Sequence, residues 1–125
     1  MIKYLCVAVG GGLGSLTRYI VARAITQLYP NAGFAWSTFS INVTGSFLIG
    51  LLMALLVERL RLPHFWQLLV VVGFLGGYTT FSSFEYDAYL SARGGHSFTA
   101  FLYLVGSVVA GYGAVWLGSS VIPKN

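Results

Sequence analysis

Four apolar runs, separated only by short polar turns, constrain this chain more than any other feature. They cover residues 2–28, 36–57, 63–90 and 98–118. About 20 predominantly apolar residues in a helix cross the hydrocarbon of a bilayer, so each run is long enough to span one. Charged residues make up 8% of the 125, whereas a soluble domain carries about 25%. So few charges cannot cover a water-facing surface. The expectation is a single all-α membrane domain over residues 1–125, with four transmembrane helices and lipid as its solvent.

The flanks fit this reading. Trp36, Trp66 and Trp116 all fall near the ends of runs, where indole rings prefer the headgroup interface. The turns hold Tyr29-Pro30-Asn31-Ala32-Gly33, the charged stretch from Glu58 to His64, and Arg93-Gly94-Gly95-His96. His64 and His96 read as solvated turn residues. The net charge of +4 comes from scattered cations that form no basic stripe, so nucleic acid is not an expected partner. Lys3 and the Ala22-Arg23-Ala24 stretch superficially fit a cleavable signal. Arg18, Arg23 and four glycines in the first run argue instead for a retained span. Cys6, alone, reads as a small core residue.

Orientation follows the Lys/Arg bias of the connections. Lys3, Arg59, Arg61 and Lys124 fall on one side; Arg23 and Arg93 fall on the other, with Arg18 near them. That bias is weak. A small protein of this kind can insert in both directions and pair antiparallel.

Sixteen of the 125 residues are glycine, about twice the average frequency. Gly10 and Gly14 are four apart, as are Gly73 and Gly77, and Gly106, Ala110, Ala114 and Gly118 follow one helix face. Small residues at this spacing let membrane helices approach closely. They predict tight packing, within one copy or between copies, and a homo-oligomer is expected. Gly10-Gly11-Gly12-Leu13-Gly14 lacks the spacing, strand and acidic partner of a nucleotide loop.

Polar residues inside a membrane mark structure or function. Thr38, Asn42 and Ser46 share a helical face of the second run. Asn42 can hold two helices together or line a polar path. Asn42-Val43-Thr44 matches a glycosylation pattern at a depth no glycosylating enzyme reaches. Tyr103 and Ser107, four apart, can extend a hydroxyl track. Glu58, Glu85 and Asp87 are the only carboxylates, and no nucleophile–base–orienter set is present, so no enzyme is expected.

The third run is the informative one. Its 28 residues would make one helix of about 42 Å, longer than an upright span needs. Gly76-Gly77 sits near the middle, followed by Tyr78-Thr79-Thr80. Glycine favours helix ends and threonine can cap helix starts, so a break is expected near Gly76–Thr79. Such a break presents carbonyls that suit a cation and N–H groups that suit an anion. Phe81 and Phe84 then share a face, with Ser82 and Ser83 between them. The rings can simply pack, or their positive edges can line an anion path.

The stretch Gly73-Phe74-Leu75-Gly76-Gly77-Tyr78-Thr79-Thr80-Phe81-Ser82-Ser83-Phe84 resembles the G-F-x-G-G-x-T-T-F-S-T/S-F signature of the Fluc (CrcB) fluoride-channel family. Asn42-Val43-Thr44-Gly45-Ser46-Phe47 and Gly10-Gly11-Gly12-Leu13-Gly14-Ser15-Leu16-Thr17-Arg18-Tyr19 are similar to that family's second- and first-helix motifs. The resemblance implies an antiparallel, dual-topology homodimer with two pores, passing fluoride out of the cytoplasm across the inner membrane and conferring fluoride resistance. Asn42, Phe81, Phe84, Ser82, Ser83, Tyr103 and Ser107 would form the fluoride pathway. Arg18 would serve a vestibule. The backbone carbonyls of Gly76 and Thr79, from both subunits, would hold a structural sodium ion. Where the family often carries a glutamate three residues beyond the second phenylalanine, this chain has Asp87.

Two rivals are set against this. A four-helix multidrug antiporter needs a membrane carboxylate in its first helix, and residues 2–28 contain none. A purely structural subunit would leave the glycine break and Asn42 without purpose.

Overall fold

The computed structural model describes residues 1–123; Lys124, expected to flank the fourth span, lies outside them. Helices α1 (Ile2–Leu28), α2 (Trp36–Arg59) and α5 (Ser97–Ser120) each cross the molecule unbroken. The third span, His64–Arg93, is divided into α3 (residues 64–78) and α4 (Phe81–Arg93). Among the described residues there is no strand. All four spans, of 27, 24, 30 and 24 residues, are long and apolar enough to cross a membrane. The protein is therefore an all-helical, multi-pass membrane protein.

Two of the short connections have a left-handed residue that helps reverse the chain. Gly95 adopts φ +86° between α4 and α5, a left-handed conformation that costs glycine nothing. Arg61 reaches φ 49° in the turn between α2 and α3. On either side of that turn the backbone winds wider, as π-helix over Met53–Arg59 and Gln67–Leu75.

Packing is organised in two tight seams. α1 lies on α3, and α2 lies on α5 along most of its length. In the first seam a β-carbon on Gly14 would collide with the Phe74 carbonyl, and one on Gly77 with the Gly11 carbonyl. In the second, Gly118 meets the backbone at Phe47. The small-residue pattern thus works within one copy at these positions. Gly106, at the other end of the same α5 face, faces open space.

Two apolar clusters flank the interruption of the third span. Ile41, Leu75 and Tyr78 form one, with Phe74 and Leu48 packed around it. Phe84, Ala88 and Tyr103 form the other, with Phe34 and Phe39 beside it. Outside them the surface is apolar: Val108, Val109 and Tyr112 on α5 are largely exposed. In water such a surface would aggregate; lipid solvates it.

Candidate functional site at the interrupted helix

The interruption is two residues long. Thr79 (φ −81°, ψ 159°) and Thr80 (φ −150°, ψ 124°) are extended. Gly76 and Gly77 stay helical within α3, so the helix continues past the glycine pair and breaks at the last edge of the expected interval. The reason lies in packing. Gly77 serves close approach to α1, and a glycine in a membrane helix need not break it when its backbone bonds stay internal.

Side chains from other helices hold the extended segment. The Asn42 Nδ2 donates to the Thr80 carbonyl at 2.9 Å, and the Thr80 N–H donates to Asn42 Oδ1 at 2.9 Å. One amide therefore satisfies both backbone groups of a residue that helix geometry has abandoned. Without it, two peptide groups would sit unpaired at membrane depth, at a cost of about 1–3 kcal/mol each. Thr80 in turn caps α4. Its Oγ1 accepts from the Ser83 N–H at 3.3 Å and donates to Ser83 Oγ at 3.0 Å. The Thr79 hydroxyl donates back to the Leu75 carbonyl at 3.0 Å.

The carbonyl end of α3 is served from α1. Arg18 Nη1 donates to the Thr79 carbonyl at 3.2 Å, and Ser15 Oγ to the Gly77 carbonyl at 3.4 Å. The Thr80 N–H, which would bond the Gly76 carbonyl in a continuous helix, is already committed to Asn42. That frees a carbonyl at the break. Oxygen donors of this kind fit a hard alkali cation, and the Thr79 carbonyl retains a second lone pair beside its bond to Arg18.

An open groove of about 600 Å³ runs along the break between α2 and α5. Asn42, Phe81, Phe84 and Ser107 line it, and so do Gly76 and Thr79. Phe81 is 69% exposed and Phe84 only 6%; their ring centroids lie 5.9 Å apart at 46°. The Ser107 hydroxyl is buried and has no hydrogen-bond partner among the described residues. A buried hydroxyl left unpaired calls for an explanation, and an unfilled ligand position is one.

The remaining expected residues fall elsewhere. Ser82 and Ser83 are exposed and do not line the groove. Tyr103 packs behind Phe84, with centroids 5.2 Å apart. Its hydroxyl is also buried, beside Thr38 and Asp87. Nearby, the Thr38 hydroxyl donates to Asp87 Oδ2 at 2.6 Å, while Glu85 is exposed. Tyr103 meets Phe34 edge-on at 5.1 Å and 90°, so aromatic rings continue from Phe81 to the connection just before α2. Sequence reasoning passed over Phe34, Phe39 and the groove residue Tyr112. Their signal was only that of scattered aromatics, which acquire meaning once α2 and α5 are known to pack.

Comparison with known proteins places this arrangement. The family model described as CrcB-like protein, Camphor Resistance (CrcB), matches residues 5–119. A protein of Solibacter usitatus named fluoride-specific ion channel FluC is 51% identical over 117 residues, covering 94% of this chain and 95% of that one. Proteins of the same name are 47% identical in Acidobacterium capsulatum, covering 95% and 94% of the two chains. In Thermus thermophilus the identity is 46%, covering 94% and 93%. The resemblance carried by the motifs around Gly10, Asn42 and Gly73–Phe84 is borne out, and the chain belongs to the CrcB-like family of membrane proteins.

Proposed function

We propose that this protein is a passive, selective fluoride channel that exports fluoride from the cytoplasm across the inner membrane. The observation that carries the reading is the groove. It brings Asn42, the unpaired Ser107 hydroxyl and the rings of Phe81 and Phe84 to one surface beside the broken span. The names of relatives covering nearly the whole chain support fluoride as the ion.

The chemistry is as follows. Hydrogen fluoride is a weak, neutral acid that enters through lipid and dissociates at cytoplasmic pH. The anion is then trapped unless a path lets it out. An inside-negative potential drives it outward by about 2.3 kcal/mol per 100 mV. A small anion gives up its water only for close donors, and hydroxyls, an amide and positive ring edges supply these without a fixed charge that would hold it. Larger halides fit the same contacts poorly. Asn42, Phe81, Phe84 and Ser107 form the pathway in this reading, with Tyr103 reached beyond Phe84; Ser82 and Ser83, outside the groove, belong to the start of α4 beside it.

The working unit is an antiparallel, dual-topology homodimer with two pores. The groove leaves Gly76, whose carbonyl the break has freed, on an open face beside Thr79. Lipid cannot satisfy a bare carbonyl, and a second copy can bring it a shared ligand. The carbonyls of Gly76 and Thr79 from both copies hold a sodium ion, which joins the subunits by neutralising oxygen donors that would otherwise repel. Fluoride efflux from liposomes, with chloride as the control, tests the function; loss of subunit pairing on replacing sodium by choline tests the ion.

A further inference from the structure

Arg18 is a half-buried residue on a membrane-spanning helix, and its guanidinium is bonded to the Thr79 carbonyl at 3.2 Å. The sequence suggested a vestibule for it, yet this bond ties it to the carbonyl end of α3. That end carries about half a negative charge from the helix dipole. Ser15, one turn earlier on α1, adds a neutral donor to the Gly77 carbonyl. Thus the cradle that suits a free cation already holds a tethered one.

The geometry points to Arg18 as a resident cation that competes with sodium at the Thr79 carbonyl and so sets the concentration at which sodium binds. This rests on the sodium reading above. Two effects oppose each other. The hydrogen bond orients the carbonyl and favours sodium by a factor of about 5. The guanidinium charge repels a cation on the same oxygen. Two like unit charges about 6 Å apart at an effective dielectric near 20 repel by an amount equivalent to roughly 100-fold in affinity, which sets the scale of the penalty. Repulsion wins, and the net effect of Arg18 is to weaken sodium binding by at least about tenfold. The purpose is consistent with the site. A tethered charge keeps the break neutralised whether or not an alkali ion is present.

The test uses the purified full chain, in detergent, with choline replacing sodium at constant ionic strength. The midpoint of thermal unfolding is followed against sodium concentration, since a ligand that binds only the folded state raises that midpoint. Arg18→Gln and Arg18→Met remove the charge; the second keeps an apolar stem for packing. Arg18→Lys keeps the charge and loses the planar fork. The neutral variants are expected to reach half-maximal stabilisation at about tenfold lower sodium than the parent, and the lysine variant within about threefold of it. An unchanged or higher sodium requirement in the neutral variants overturns the inference while leaving the sodium site in place. So does a lysine variant that behaves like them, because geometry rather than charge would then be responsible. If no protein, parent or variant, responds to sodium, the sodium site itself is wrong and the inference falls with it. A response that appears only in the neutral variants supports Arg18 as the resident cation in its strongest form.

Discussion

Asn42 holds Thr80 by both backbone groups, so one side chain answers both readings its position invited. It is structural, because it ties α2 to the break, and it also lines the groove. Asn42→Leu keeps the volume and removes both bonds. We expect a loss of about 2–4 kcal/mol, from two unpaired peptide groups, measured by unfolding in detergent; a loss below about 0.5 kcal/mol would contradict the clamp. Thr80→Ala removes only the cap of α4 and should cost about 1 kcal/mol. Phe81 and Phe84 separate differently. Phe81 is exposed and Phe84 packed against Tyr103. Replacing either by isoleucine should slow fluoride efflux by about tenfold, equivalent to about 1.4 kcal/mol of barrier. Only Phe84→Ile should also lower stability measurably, as expected for a buried ring. Normal efflux in both variants would remove the ring-edge mechanism.

At the scale of elements, the α1–α3 seam depends on backbone contact that a single methyl group spoils. Gly77→Ala should destabilise by at least about 2 kcal/mol, because the new β-carbon meets the Gly11 carbonyl. Gly106→Ala, in open space, should stay within about 0.5 kcal/mol. Equal effects would mean that the seam is not what holds these helices together. The same glycines explain which parts of the architecture could be read in advance. Four apolar runs between polar turns are visible as composition alone, and four spans follow. The break was legible in kind, and in place to within a residue or two: it falls at Thr79–Thr80, the far edge of the expected interval. Gly76-Gly77 reads as a helix breaker by propensity, whereas packing on Gly11 claims Gly77. The better signal was Thr80 followed three residues later by Ser83, the spacing of a side-chain cap. Asn42 was legible because a full amide in an apolar run is rare. Tyr112 and Phe34 were not, since only the pairing of α2 with α5 brings them to the groove and its aromatic extension.

For the molecule as a whole, a single copy carries a polar opening on an apolar surface. Its surface is apolar nearly everywhere, yet the groove exposes the interrupted backbone and the polar edge of α2 together. The proposed second copy would cover that face, and the weak Lys/Arg bias would let the two copies enter the membrane in opposite senses. Cross-linking in native membranes should trap a dimer, and accessibility of engineered cysteines in the turn at Gly94 should be divided between both sides of the membrane. Labelling from one side only would exclude dual topology. Transport is the most direct property to measure. Purified protein should be placed in liposomes loaded with both potassium fluoride and potassium chloride, with efflux followed by ion-selective electrodes after a potassium ionophore is added. A selective fluoride channel releases fluoride rapidly and retains chloride; release of both ions together, or fluoride release no faster than from protein-free liposomes, would show that the protein is not one.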